Sequence, residues 1–70
     1  ARVEALGLPA EQLRVLDALP VRRPAPADRV ARTAGLAVPV VLASLAGLEL
    51  LGLAEREPQG WRLRRDGEAP

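Results

Sequence analysis

The residues of this chain with the most chemistry in them are its arginines. Arg22 and Arg23 stand side by side, and Arg56, Arg62, Arg64 and Arg65 crowd together near the end. A guanidinium is planar and presents fork-shaped donor pairs, so clusters of this kind suit phosphate or carboxylate partners. Two hydroxyls, Thr33 and Ser44, are the remaining nucleophile candidates, and the chain has no histidine to activate either. The carboxylates are dispersed, and no glycine-rich phosphate loop occurs. An activated nucleophile or a matched acid–base pair is therefore missing, and no enzymatic activity is expected. With no cysteine there is neither a disulfide framework nor a thiolate metal site. The absence of histidine also removes the commonest metal ligand. No cofactor, metal or small-molecule substrate is expected.

All ten basic residues are arginine, while lysine, asparagine and isoleucine do not occur. Together with the abundance of Ala, Gly and Pro, this reads as coding bias in a GC-rich genome. The net charge of +1 is unevenly spread. Residues 20–36 carry +3 and residues 53–65 carry +2, whereas 37–52 carry −1 from Glu49 alone. Seventy residues support at most one marginal domain. Its core must be built from Leu, Val and Ala with a single aromatic, Trp61. No apolar run reaches the roughly 18 residues of a membrane span, and no signal-peptide pattern opens the chain. A soluble, cytoplasmic protein without a membrane partner is expected, and the missing initial methionine suggests a piece of a longer chain.

The elements that must position the arginines follow from punctuation and periodicity. In "LPAEQLRVLDALP", Pro9 suits a first helical position, Glu11 favours the positive end of the dipole, and Pro20 ends the helix. Leu13, Val15, Leu16 and Leu19 form its apolar stripe, with Arg14 and Asp17 off it. A short extended piece at residues 21–23 is expected to add an edge strand to another hairpin. A second helix starts near Pro26 with Val30, Ala31 and Ala34 facing inward, and Gly35 takes the left-handed position that ends it. A third runs from about Val38 to Leu51, with Val41, Leu45, Leu48 and Leu51 or Leu42 as its buried face, stopped by Gly52. Two helices around a tight glycine-containing turn make a helix-turn-helix. The final stretch, "LAEREPQGWRLRR", reads as a β-hairpin. The order predicts a winged helix-turn-helix: mainly α, three helices, a short strand and a hairpin wing. Residues 1–8 are expected to be a linker from a preceding domain, 9–65 the winged-helix domain and 66–70 a disordered tail.

The resemblance is more specific than topology. The run "EQLRVLDALP" followed by "DRVARTAGLAVPVVLASLAGLELLGLAEREPQGWRL" resembles the C-terminal winged-helix domain of the DNA-processing protein DprA (Smf) family. Residues 15–19, 30–36, 41–45, 48–50, 52–53 and 61–63 stand at the family's matching places, and the likeness covers roughly residues 11–65. Two departures stand out. Ala25 precedes Pro26 where the family often has a capping Ser or Thr, and Val40 and Gly47 replace glutamates usual on the third helix. The resemblance implies a bacterial cytoplasmic protein that protects single-stranded DNA during natural transformation and helps load the recombinase. It also implies that the main single-stranded DNA site and dimer surface lie in a preceding Rossmann-like domain, absent from these residues.

On a helix-turn-helix, base readout belongs to the second helix of the motif. Its expected outward positions here are Pro39, Val40, Ala43, Ser44 and Gly47, of which Ser44 alone can hydrogen-bond. Sequence-specific readout is not expected. The apolar positions Val38, Pro39, Val40 and Ala43 are candidates for a protein contact or self-association. Arg22, Arg23, Arg56, Arg62 and Arg64 are the candidates for phosphate contact, against the alternative that they are solvated and paired with Glu55, Glu57 and Asp66. The Pro-Gln-Gly sequence predicts a three-residue hairpin loop with Gly60 left-handed, placing Arg56, Arg62 and Arg64 on one face and Trp61 and Leu63 on the core. A two-residue loop would instead set Glu55 opposite Arg62 and cancel much of the charge. A transcription regulator's DNA-binding domain and a structural interaction module are the alternative functions.

Overall fold

The computed structural model describes residues 7–64. The linker expected over 1–8 falls outside this range save for its last two residues, and the tail expected over 66–70 lies wholly outside it. The elements run in the order α1 (Ala10–Ala18), α2 (Ala27–Ala34), α3 (Val38–Leu50), β1 (Ala54–Glu57) and β2 (Gly60–Leu63). Among the described residues no helix is long and apolar enough to cross a membrane, and α2 and α3 meet at 103°, within the range of a helix-turn-helix.

The turn between them is set by Gly35, at φ 72° and ψ 35°. Its N–H and that of Leu36 both donate to the Ala31 carbonyl, at 2.8 and 3.1 Å, which satisfies one of the acceptors of the helix's last turn. A second glycine ends α3. The Gly52 N–H reaches the Glu49 carbonyl at 3.0 Å and the Leu53 N–H reaches Leu48 at 2.9 Å, the paired bonds of a Schellman motif. The N-termini are plainer: Pro9, Pro26 and Ala37 occupy the N-cap positions, and none makes a side-chain cap.

The three helices pack on one another around Val15, Leu16 and Leu19 of the first segment, Val30 and Ala31 of α2, and Val41, Leu45 and Leu48 of α3. Ala25, Ala54 and Trp61 close this core from the sheet side, with Leu53 and Leu63 packed at its margin. The expected inward faces of α1 and α2 are found, although Leu13 is only half-buried. On α3 the phase differs. Neither Leu42 nor Leu51 completes the buried stripe, for they are 47% and 53% exposed, and Ser44 takes an inward place at 6%. Positions 41, 44, 45 and 48 lie on one side of a 3.6-residue helix, which leaves Ser44 beside the core regardless of its polarity.

The expected hairpin forms, but in the other register. Ala54 pairs with Leu63, Glu55 with Arg62, Arg56 with Trp61 and Glu57 with Gly60, so the loop is the two residues Pro58 and Gln59. Proline fixes a negative φ at the first loop position, and no non-glycine residue described has positive φ. The mirror-image turns usual for two-residue hairpins are thereby excluded. Gly60 is not the left-handed residue of a three-residue turn; at φ 144° it takes up the mismatch at the start of β2.

The third strand also lies elsewhere than expected. Residues 21–23 form a bend, and the pairing falls to Ala25, which exchanges bonds of 2.9 and 2.8 Å with Trp61. Leu63 donates to the Pro20 carbonyl at 2.7 Å, so residues 21–23 bulge away between two anchored points. The next residues that could pair with β2 are 23 and 27, and the first lies in the bend and the second in α2, so the strand is limited to this one residue.

Candidate nucleic-acid interface

Residues directly opposite in an antiparallel pair share a face. The register therefore puts Ala54, Arg56, Trp61 and Leu63 on one side of the hairpin, and Glu55, Glu57 and Arg62 on the other. Trp61 is 8% exposed and part of the core. The exposed Arg56 lies over its ring, with the guanidinium carbon 5.5 Å from the centroid, a cation–π distance.

Arg62 is held by two carboxylates. Its Nη2 lies 2.7 Å from Glu55 Oε1 and its Nε donates to Glu57 Oε2. The Arg62 side chain is 15% exposed, so this guanidinium is committed to the sheet's own carboxylates rather than presented to a ligand. Glu55 Oε1 has the guanidinium as counter-ion but no aligned hydrogen-bond donor. Arg64 is half-buried, and its backbone N–H closes the ladder on the Leu53 carbonyl at 3.0 Å. The expectation of Arg56, Arg62 and Arg64 on a common positive face is thus corrected: Arg56 sits on the tryptophan side, and Arg62 sits between two glutamates.

Arg22 and Arg23 lie on the bulge and are exposed. They line an open recess of ≈ 650 Å³ between the end of α1, the bulge and α2, and Arg29 and Thr33 of α2 complete its polar wall. Arg29 had no place among the residues singled out from the sequence. Its signal was the concentration of charge in residues 20–36, which alternation within one helix could not connect to the preceding turn.

Along α3, the residues opposite the buried stripe are Pro39, Ala43, Ala46 and Leu50, flanked by Leu42. Leu50 is 90% exposed. Val38 and Val40 are 38% and 39% exposed, and Pro39, Val40 and Ala43 border a shallow cleft with Pro9, Glu11 and Gln12. Ser44, expected outward, is inward, and Gly47 is covered by the Gln12 amide, which a Cβ there would strike. No group of three metal-ligating side chains exists among the described residues.

Three helices with a right-angled helix-turn-helix, followed by a two-stranded antiparallel wing, define a winged-helix domain. The family model of the DprA winged helix domain matches residues 1–60. The chain belongs to that family. No curated protein and no solved structure matches it.

Proposed function

We propose that this is the accessory, non-catalytic winged-helix domain of a DprA-like cytoplasmic protein that handles single-stranded DNA in natural transformation and recombination. In this reading the domain touches nucleic acid weakly, through the backbone, and leaves the principal single-stranded DNA site to a preceding domain. The observation that carries it is the chemistry of α3. Its outward residues, Pro39, Leu42, Ala43, Ala46 and Leu50, have no side-chain donor or acceptor, and base discrimination requires such groups in the major groove. Glu49 is the helix's one charge, and it repels phosphate. A transcription regulator's reading head would be built the opposite way. Exposed arginines off α3, at 22, 23 and 29, supply sequence-independent attraction instead.

Protein docking is the second reading, and it rests on the same helix. Val38, Val40, Leu42 and Leu50 of α3, with Leu51 just past its end, are five of the six large apolar side chains that the described residues leave exposed, and exposed apolar surface gathered on one element is a feature of contact sites.

Titration of the 70-residue chain with single- and double-stranded oligonucleotides at two salt concentrations tests the proposal. Weak binding, steeply dependent on salt and indifferent to sequence, is expected. Tight, sequence-dependent duplex binding would overturn it. No binding at low salt would remove nucleic-acid contact and leave docking through α3.

A further inference from the structure

We infer that the recess walled by Arg22, Arg23, Arg29 and Thr33 is a seat for one backbone phosphate of a nucleic-acid strand; this rests on the nucleic-acid reading above and gives it a location.

Three observations converge there. First, two separate elements aim charge at one hollow: the bulge brings Arg22 and Arg23, and the outer face of α2 brings Arg29. The bulge exists because the chain is pinned at Pro20 by Leu63 and at Ala25 by Trp61, so the two arginines are presented by an anchored loop rather than a free one. Second, none of the three arginines has an ion-pair or hydrogen-bond partner among the described residues, and no carboxylate lines the recess. The nearest acid on α2 is already taken, since Asp28 pairs with Arg32 at 3.4 Å. Asp17 and Arg14 do not line the recess; they face a neighbouring hollow that shares Ala18 and Thr33 with it. Three like charges gathered with no counter-ion among the described residues repel one another, and a bound anion relieves that repulsion. Third, the rest of the wall is of mixed character. Thr33 offers a hydroxyl donor, while Pro20 and the 48% exposed Val21 offer apolar surface that suits the sugar adjoining a phosphate.

The convergence makes a quantitative difference to salt dependence. Three arginines on separate phosphates of a single strand contribute about 2.1 to the slope of log K against log salt, whereas three arginines around one phosphate contribute about 0.7.

The test is fluorescence anisotropy of a labelled oligothymidylate with the full chain and with Arg23→Ala, Arg29→Ala, the triple Arg22→Ala/Arg23→Ala/Arg29→Ala, and Arg56→Ala as a charge-matched control on the hairpin. Circular dichroism confirms that each variant is folded. Arg23→Ala and Arg29→Ala should each weaken binding about fivefold or more and Arg56→Ala less than about twofold, as expected for loss of a charge-assisted contact. The triple variant should lower the salt slope by about 0.7. Equal losses in all single variants would mean diffuse attraction, overturning the seat while leaving the nucleic-acid reading intact. Wild-type protein that fails to bind at all would defeat that reading itself. Displacement of the oligonucleotide by millimolar inorganic phosphate at matched ionic strength would reassign the recess to a free phosphate ion and overturn the backbone assignment.

Discussion

At position 60 the chain has no room for a side chain. The φ of 144° is one that L-residues rarely adopt, and a Cβ there would run into the carbonyl of Ala25, the residue through which the third strand joins the sheet. Gly52 is a useful contrast, with φ 77° and open space around it. Gly52→Ala should therefore cost only its backbone strain, about 1–2 kcal/mol. Gly60→Ala should cost about 3 kcal/mol or more, because strain and displacement of the strand add. Thermal denaturation of the two variants checks the order, and equal midpoints would contradict the close approach. The glycine was legible as a required glycine from the sequence, but its reason was not. Local turn chemistry pointed to a left-handed loop residue, whereas the constraint comes from a backbone thirty-five residues earlier, which no short window contains. Arg62 shows the same limit. Its pairing with Glu55 and Glu57 depends wholly on register, and a one-residue shift exchanges the faces of a strand.

The helices were legible to within a residue or two because each boundary is written in proline and glycine, and each buried stripe repeats at helical spacing. What spacing left open was the exact phase of α3, a helix so rich in Leu, Val and Ala that several faces looked alike. Packing against α1 resolved it and turned Leu42 and Leu51 outward. The helix starts are the weak points of the elements. Ala37 has the extended backbone of an N-cap, φ −69° and ψ 148°, but no side-chain acceptor. Pro39 lacks an N–H, so a hydroxyl at 37 has the Val40 N–H as its target. Ala37→Ser is expected to stabilise the domain by about 0.5–1 kcal/mol and to raise its melting midpoint by several degrees, roughly 4–8 °C per kcal/mol for a domain of this size. An unchanged or lowered midpoint would show that the cap cannot form there.

As a whole the molecule is a thin slab, 28 × 27 × 16 Å. The total stability of such a domain is only roughly 3–10 kcal/mol, and a side chain left in water contributes little of it. Leu50, at 90% exposure, provides the check. Leu50→Glu should change the urea midpoint by less than the equivalent of about 0.5 kcal/mol. A loss above 1 kcal/mol, on the order of a buried leucine's contribution, would mean that the face is covered in solution. The single-residue strand at Ala25 has a consequence of a different kind. Sheet edges invite strands from other chains, which is how many β-proteins begin to aggregate. Here both hydrogen-bonding groups of Ala25 are spent on Trp61, and the prolines on either side have no N–H to donate. This border of the sheet therefore offers no donor to an incoming strand, and the wing is protected on that side from growing into a fibre.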